Sequence, residues 1–424
     1  MKKENHNKMN QKTFMPKTIF TSVFLIVCFM AFSCNSDSNK EKLNAEKIEK
    51  DSLSVKTNED SIVSEKNSSS LLCINDSLNE LAQLIAGIKP ELGTKILTSV
   101  FASKTVREHS ENFSKKWAKF DSTQLKVLRA FRTNEISKLV KPSQTLLYPF
   151  SGPDILYAFT FFPDVEKYVL MGLEPVGTRV IYDQEKNKQD SLYNYFNTIN
   201  KSLHAILNFS FFRTASMSSD LRNEEVDGTQ HLLLLFLART GNKICEVNPI
   251  FVDSTGNTKR AISFPFLKKS GYKNKGIEIV FNTKEGLKKS LNYFSLNLSN
   301  EEYSKNPGIQ KFITSLGQVN SYFKGASYLM HGRSFSQFRE QVIAQSNFII
   351  QDDSGIPLRF LNAKNEWEFN CYGNYTSPIK MFAQFYQSDL DTLYKTNPTK
   401  ELNFGIGYKF RDKTSNLIIA KKIK

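Results

Sequence analysis

Residues 146–163 read LLYPFSGPDILYAFTFFP, a dense aromatic and apolar run that the tetrapeptide SGPD interrupts once. The interruption fits the pattern S-x-x-D, in which a serine caps a helix, a proline occupies the first turn and an acid bonds back to the cap amide. We therefore expect Ser151 to cap a short buried helix formed by ILYAFTFF, with Asp154 in its first turn. The helix should end before Pro163, because proline cannot continue it.

A catalytic role is the alternative for the same residues. Ser151 would then act as a nucleophile, or Asp154 as a general base, at the point where the chain turns. However, the flanking residues do not form the G-x-S-x-G turn that exposes a nucleophilic serine between a strand and a helix. The sequence therefore favours capping over catalysis here.

Two further segments place acids beside turn-forming residues. GLEPVG, residues 172–177, follows the strand-like YVLM and contains Glu174, whereas QDDSGIPLRF, residues 351–360, follows NFII and contains Asp352 and Asp353. Glu174 is expected to face solvent in a turn, or alternatively to display a binding carboxylate at a strand end. The two aspartates either cap a turn with the Ser-Gly that follows them, or form a carboxylate pair that binds a cation or has one raised pKa.

The sequence contains no signature of cofactor or metal chemistry. Its histidines show no HExxH or other metal spacing, it has no CxxC pair, and it has no GxxxxGK[ST] loop for nucleotide phosphates. We expect neither a cofactor nor a bound metal. Whether the protein is an enzyme stays open at this point.

The N-terminus has the features of an export signal: a lysine-rich start and an uncharged apolar run over residues 19–32. This run is shorter than the roughly 20 residues that a membrane-spanning helix needs. The tetrapeptide AFSC, which ends at Cys34, resembles the lipobox of bacterial lipoproteins. The resemblance implies that residues 1–33 are removed as a signal peptide, that Cys34 receives a diacylglyceryl group and that its new amine is acylated. An ordinary signal peptide with an incidental Cys34 is the alternative.

The segment after the lipobox differs in composition from the rest of the chain. Residues 35–70 contain nine serines, six lysines and eight acids, with no aromatic residue, glycine or proline. Such a segment cannot bury enough apolar surface to offset the entropy lost on ordering. We expect residues 34–70 to comprise the lipidated cysteine and a disordered tether with a reach of about 30 to 36 Å. A short amphipathic helix within residues 42–56 is the alternative.

Cysteine content agrees with export. Cys28 would leave with the signal and Cys34 would be acylated, so that Cys73, Cys245 and Cys371 remain. At most one disulfide can form among these three, and the odd thiol is expected to be buried.

Residues 71–424 are predicted to form an α+β region, in which N-terminal helices precede a largely antiparallel sheet with flanking helices. A break into two subdomains near residues 210–230 is an alternative. The pattern HLLLLFLART is read as a strand covered on both faces. Helices are predicted over residues 71–88, 113–120, 125–140 with Asp121 as its cap, 190–207, 335–346 and 379–394. Strands are predicted over residues 231–240, 243–253, 260–265, 276–281, 291–298, 347–351, 366–372, 404–410 and 416–420.

The formal net charge of +15 at pH 7 indicates what the protein could contact. A basic excess often marks binding to nucleic acid or to anionic surfaces. Because no Arg-rich helix, zinc pattern or lysine cluster accompanies it, we do not expect a nucleic-acid partner. The dispersed charge suits an anionic polysaccharide or lipid of the cell envelope, and protein partners cannot be named.

The segments YPFSGPD, GLEPVG and QDDSGIPLR are similar to segments of an uncharacterised group of exported bacterial proteins, and the tether resembles those of Bacteroidota lipoproteins. The resemblance supplies no catalytic residue. We expect a lipid-anchored protein of the outer membrane, on its periplasmic or surface face, that acts as a binding or assembly module. The alternative is an envelope hydrolase that cuts glycan or ester bonds through a pair of carboxylates among Asp154, Glu174, Asp352 and Asp353.

Overall fold

A computed structural model describes residues 75–89, 98–141, 144–177, 189–212, 221, 226–411 and 414–423. Residues 69–424 form one compact unit. The predicted signal peptide, the lipidated cysteine and the tether lie outside the described residues. In the described part, no helix is both long and apolar enough to cross a membrane.

Helices α1 (Asp76–Ile85), α2 (Thr98–Phe101), α3 (Lys104–Phe120) and α4 (Lys126–Phe131) precede the first strand. The π-helical turns Asp121–Leu125 and Arg132–Ile136 make the chain helical from residue 104 to residue 136. Asp121 has helical φ and ψ angles of −61° and −47°. The expected helix start at Asp121 is therefore wrong, because the chain continues through it without a break.

Eleven strands of the described part form one mixed sheet, in the order β10-β9-β11-β8-β7-β1-β2-β6-β5-β3-β4. Strands β8, β7, β1, β2 and β6 are parallel, whereas β11 and the strands β5, β3 and β4 pair antiparallel with their neighbours. The strands are β1 (Thr145–Tyr148), β2 (Lys167–Gly172), β3 (Lys243–Val252), β4 (Thr258–Arg260), β5 (Lys275–Asn282), β6 (Lys288–Ser295), β7 (Val319–Phe323), β8 (Ser346–Gln351), β9 (Trp367–Gly373), β10 (Thr399–Lys400) and β11 (Asn416–Lys422).

Helices cover both faces of this sheet. Alternate residues of β2 enter different cores: Tyr168 and Leu170 pack with one group of helices, and Val169 and Met171 with another. Because both faces are covered, the central strands are buried on each side and can run parallel. The remaining helices are α5 (Ile155–Phe161), α6 (Gln189–Phe209), α7 (Gln230–Arg239), α8 (Phe264–Lys269), α9 (Asn300–Ser304), α10 (Pro307–Ser315), α11 (Ser336–Gln345), α12 (Leu358–Leu361) and α13 (Ser388–Thr396).

The class of the fold agrees with an α+β assignment, because helices accompany a large sheet. The expectation of a largely antiparallel sheet is wrong, since the sheet is mixed and its centre is parallel. Parallel neighbours require long crossover connections. These connections are the helices that cover the two faces.

The segment HLLLLFLART forms helix α7 rather than the expected strand. Residues 232–237 are all no more than 1% exposed, and α1, α5 and β3 pack around the helix. An apolar run of this length fits a fully buried helix and a fully buried strand equally well. The surrounding elements decide between the two.

Other predictions had mixed outcomes. The expected strand over residues 404–410 is instead a 3-10 turn, and the expected helix over 379–394 is divided into a 3-10 segment and α13. The strand predicted over 260–265 stops at Arg260, because Ser263 caps α8 immediately afterwards. Confirmed within one or two residues are the helices predicted over 190–207 and 335–346 and the strands predicted over 243–253, 276–281, 347–351, 366–372 and 416–420.

The cysteines behave as expected where they are described. Cys245 is disulfide-bonded. Cys371 is a free thiol and is buried, with 2% of its surface exposed. The expectation of a buried odd thiol is confirmed for Cys371.

Candidate functional site

The central strands β1 and β7 pair directly, and the direction in which the chain adds further strands to the sheet reverses between them. The connection after β1 contains α5 and leads to β2, whereas the connection after β7 contains α11 and leads to β8 on the other side. Helices α5 and α11 lie on opposite faces of the sheet. In open parallel sheets, ligands bind outside the carboxyl ends of the strands at such a reversal.

Five polar residues meet at this edge, and we call them the switch-point cluster: Tyr148, Asp154, Lys324, Asp352 and Asp353. Tyr148 ends β1, Asp154 lies in the loop after it, Lys324 directly follows β7, and Asp352 and Asp353 directly follow β8. Each has no more than 6% of its surface exposed. Three of the four predicted carboxylates are therefore brought to one edge of the sheet.

Asp154 links the cluster to helix α5. Its Oδ1 accepts a hydrogen bond from the backbone N–H of Tyr157 at 3.1 Å, which caps the helix. Its Oδ2 accepts from Lys324 Nζ at 2.6 Å and from the Tyr148 hydroxyl at 2.9 Å. The ammonium also lies 3.2 Å from the centroid of the Tyr157 ring, a cation–π contact.

Burial sets the protonation of this ion pair. It raises the pKa of the Asp154 carboxyl and lowers the pKa of the Lys324 ammonium to about 8. The opposite charge of the partner acts against each of these shifts, but burial is the larger effect. Both shifts disfavour the charged forms. Such a pair stabilises a protein little, and sometimes not at all, relative to apolar residues of the same size.

The prediction that Ser151 caps helix α5 is wrong. Its hydroxyl donates to the carbonyl oxygens of Gly152 and Met171 at 2.8 and 3.3 Å, and its backbone N–H donates to Met171 O at 2.9 Å. Gly152 turns the chain with a φ of +55°, so the helix begins three residues later than the S-x-x-D pattern requires. The helix itself and its end before Pro163 are confirmed, with Asp154 as the cap.

Glu174 is not the solvent-facing acid that the turn pattern predicted, because it is only 1% exposed. The Tyr293 hydroxyl donates to its backbone oxygen at 2.9 Å and lies 3.3 Å from its Oε2. The carboxylate and the Cα of Gly152 both lie against the position that a Cβ on Gly172 would occupy. The fourth predicted carboxylate thus lies beside the loop that follows β1.

Asp352 both caps a turn and joins two loops. Its Oδ1 accepts from the backbone N–H and hydroxyl of Ser354 at 3.0 and 2.5 Å, and its Oδ2 accepts from the backbone N–H of Gly325 at 3.0 Å. Burial raises its pKa to about 7, and the negative charge of Asp353 adds to that rise. Asp352 is therefore both a turn cap and a carboxyl group with a raised pKa, so the two interpretations of this residue are compatible.

Asp353 is fully engaged with neighbouring side chains. Its Oδ1 accepts from Asn416 Nδ2 at 2.9 Å and its Oδ2 from the Tyr328 hydroxyl at 2.5 Å. Every carboxylate oxygen of the two adjacent aspartates thus accepts a hydrogen bond. Within the described ranges, no group of three or more His, Cys, Asp or Glu side chains is arranged to hold a metal. Cation binding by this pair therefore finds no support.

The loops around the cluster have unusual backbone angles. Phe150 has a φ of +58°, and Ser327 and Tyr328 have φ values of +53° and +56°. Side chains rarely adopt this left-handed region, and each such residue costs about 1 to 2 kcal/mol. Strained residues persist where the surroundings impose them, and they concentrate at functional sites.

A segment that we call the aromatic strap, residues 380–386, covers Tyr328. The Phe385 ring stacks on the Tyr328 ring with a centroid distance of 5.3 Å and an angle of 4°, and the Phe382 ring lies 4.9 Å from it. Met381 is 72% and Tyr386 47% exposed. The strap therefore separates Tyr328, and through it Asp353, from solvent.

Lys324, Tyr328 and Asn416 were not predicted as site residues. The one signal that could have indicated Lys324 is its place in YFKG, where a lysine before a glycine follows apolar residues at a strand end. Comparison with family models, curated proteins and solved structures found no match.

We expect Asp352 to make the protein less stable as the pH rises from about 4 to about 7. Burial raises the pKa of its carboxyl from 3.8 to about 7. In this window the folded state keeps a proton that the unfolded chain has released, so raising the pH favours unfolding. Asp352→Asn should flatten the pH dependence of the free energy of unfolding, measured by urea denaturation.

Asp253→Asn is the matched control for this prediction. Asp253 lies in an exposed turn, and hydrogen bonds from Thr255 lower its pKa, so it titrates below the window. If the free energy of unfolding changes with pH by the same amount in the parent and in the Asp352→Asn variant, the prediction is contradicted.

Proposed function

We propose that this chain is a lipid-anchored protein of the cell envelope whose domain binds a small hydroxyl-rich ligand at the switch-point cluster. The anchor is Cys34, for which the export signal and the AFSC tetrapeptide argue, and the outer membrane is the proposed location. The observation that carries the binding role is the buried Lys324–Asp154 pair, which lies at the reversal of the sheet. Ligands bind at this place in other doubly wound sheets.

The charges of the cluster suggest the class of ligand. Asp154, Asp352 and Asp353 supply three carboxyl groups, while Lys324 and the 7% exposed Lys409 supply two cations. Each carboxylate oxygen of Asp353 accepts one hydrogen bond from the protein and has a second lone pair, so the cluster favours a ligand that donates hydrogen bonds, such as a sugar or another polyol, over an anion. Neutral glycan fragments of the envelope belong to this class.

The free energy that the protein loses by burying the charges of this cluster also supports a binding role. Each buried charge loses several kcal/mol of hydration, and an apolar replacement is often neutral or stabilising. Strained loops and buried charges at one sheet edge are features of functional sites more than of structural cores. The aromatic strap would have to lift for a ligand to enter.

Thermal melts with added sugars test the ligand proposal. Neutral mono- and oligosaccharides of the envelope should raise the Tm of the parent in a saturable way, and inorganic phosphate should not. Asp353→Asn should weaken this rise, because an amide replaces one acceptor oxygen by a donor. Asp391→Asn, which removes the surface pair with Lys395, is the control. A rise with phosphate alone would refute the ligand class.

A hydrolase is the second candidate, because Asp352 has a pKa of about 7. A carboxyl with that pKa can donate or accept a proton near neutral pH, as a general acid or base does. Incubation with envelope glycans and esters, followed by assay of reducing ends and free acid, separates the two candidates. If the parent turns over one of these substrates and Asp352→Asn abolishes the turnover, the protein is an enzyme rather than a binding module.

We expect Cys34→Ser to abolish metabolic labelling of the chain by palmitate and to leave the precursor uncleaved. The hydroxyl of serine cannot form the thioether on which lipoprotein processing depends. Labelling, followed on gels of membrane fractions, measures the outcome, and Cys28→Ser serves as the control within the signal. Unchanged labelling of the Cys34→Ser chain would show that the anchor is not there.

A further inference from the structure

The connection between β4 and β5, at the outer edge of the sheet, exposes several large apolar side chains. Ile262 is 88%, Phe266 43% and Tyr272 41% exposed. The Tyr272 ring stacks on the Phe251 ring with a centroid distance of 3.9 Å and an angle of 5°, and the Phe266 ring lies 6.2 Å from it. The exposed Phe266 and Tyr272 rings and the partly exposed Phe251 ring therefore form one continuous aromatic patch.

Lysines border this patch on helix α8. Lys268 and Lys269 form its last turn and are exposed, and Lys273 follows as a further exposed cation. Lys275 Nζ donates to the carbonyl oxygens of Lys268 and Ser270 at 3.0 and 2.8 Å, which ties the end of the helix to β5. The backbone that carries Lys268 and Lys269 is thus fixed next to the segment of Phe266 and Tyr272, and the Lys268 ammonium also lies 3.7 Å from Asp227 Oδ2.

We propose that the patch and its lysines, which we call the basic aromatic surface, dock the domain on the anionic phospholipid headgroups of the membrane that anchors it. This inference rests on the proposed lipid anchor. Proteins commonly place aromatic rings, and lysines that lie next to apolar side chains, at the headgroup level of a bilayer. Positive charge next to exposed rings complements anionic phosphate groups.

The docking surface would cooperate with the anchor. The lipid on Cys34 would carry at least two acyl chains, which anchor a protein stably, so the docking surface would orient the domain on the bilayer rather than supply its attachment. The tether would limit how far the domain can move from the bilayer, so that even weak attraction is effective. Docking would then hold the basic aromatic surface against the headgroups.

Vesicle co-sedimentation without the lipid tests this surface by itself. The protein is the chain from residue 34 onward with Cys34→Ser, which keeps every residue that the structure describes. It should sediment with vesicles of phosphatidylglycerol and phosphatidylcholine in equal parts, bind pure phosphatidylcholine at least about tenfold more weakly, and dissociate as salt is added.

Two double variants of the surface provide the decisive comparison. Lys268→Glu with Lys269→Glu, and Ile262→Ser with Phe266→Ser, should each weaken binding to the anionic vesicles by about tenfold or more. Lys284→Glu with Leu287→Ser, at the opposite end of β5, is the matched control and should bind like the parent. The circular dichroism and Tm of each variant verify that the chain is folded.

Two outcomes would overturn the proposal: equal binding by the parent and both surface variants, or equal binding to the two kinds of vesicle. Because the tested chain has no lipid, neither outcome affects the anchor, which palmitate labelling of Cys34 tests separately. Conversely, unchanged palmitate labelling of the Cys34→Ser chain would refute the anchor without changing how this unlipidated chain binds vesicles. The failure of one proposal is therefore distinguishable from the failure of the other.

Discussion

Lys324→Met should lower the free energy of unfolding by about 3 to 5 kcal/mol, because it leaves Asp154 charged and buried without its partner. The ammonium donates to Asp154 Oδ2 at 2.6 Å, and neither side chain is more than 1% exposed. Methionine is similar in length to lysine but provides no charge and no donor. Urea denaturation of the parent and the variant at neutral pH measures the difference.

The pH dependence of this variant supplies a second readout. Without Lys324, the pKa of the Asp154 carboxyl should rise further, since the ammonium is the main charge that holds it down. The folded variant would then take up a proton that the unfolded chain does not bind, so its stability should recover as the pH falls. Recovery at acid pH would identify the unpaired carboxylate as the cause.

Two further variants make the Lys324 prediction specific. Lys400→Met breaks the pair with Glu135, which has a similar distance of 2.7 Å, but this lysine is 55% exposed and the loss should not exceed about 1 kcal/mol. Adding Asp154→Asn to Lys324→Met should restore part of the stability, because the asparagine can still cap α5 without a charge. A cost for Lys324→Met no larger than that for Lys400→Met would refute the prediction.

Gly407→Ala should destabilise the protein by about 2 to 4 kcal/mol and weaken any ligand response at the switch-point cluster. Gly407 has a φ of +61°, which side chains rarely adopt. A Cβ at this position would overlap Asp352 Oδ2, so the carboxylate would have to move. That movement would break its hydrogen bond from the backbone N–H of Gly325. Chemical denaturation and sugar-dependent Tm shifts measure the two effects.

Gly241→Ala separates the two causes. Gly241 also has a positive φ, +81°, but no described atom lies within 4 Å of the position that its Cβ would take. This variant should lose only the backbone contribution, about 1 kcal/mol, and should keep the ligand response. If both alanine variants lose the same stability, overlap with Asp352 is not the reason for the effect.

Local patterns in the sequence predicted local structure well. The predicted helix forms over Ile155–Phe161 and ends before Pro163, because proline cannot continue it, and the chain turns after NFII because Asp352, Ser354 and Gly355 favour a turn. Each of these outcomes depends on residues only a few positions apart. The cap formed by Ser151 failed, although the pattern was present, because the left-handed Gly152 delays the helix.

Strand pairing could not be predicted in the same way. Strands β1 and β7 were not recognised, because each is only four or five residues long and apolar residues alone do not indicate parallel pairing. HLLLLFLART was assigned to the wrong class for the same reason. The burial of Glu174 also escaped prediction, since the residues that cover it include Tyr293, from a strand more than a hundred residues away.

The sequence by itself determined the positions of the turns and of many helices and strands, because turn chemistry and side-chain periodicity act over a few residues. It also singled out Asp154, Asp352 and Asp353, but the order of the strands brings these acids to one sheet edge. Only the tertiary structure decided that the central strands are parallel and that Lys324 pairs with Asp154. The two residues are 170 positions apart, and their contact depends on strands β1 and β7 pairing across the reversal of the sheet. The same pairing excludes water from both groups, so the shifted pKa values of Asp154 and Lys324 are properties of the fold.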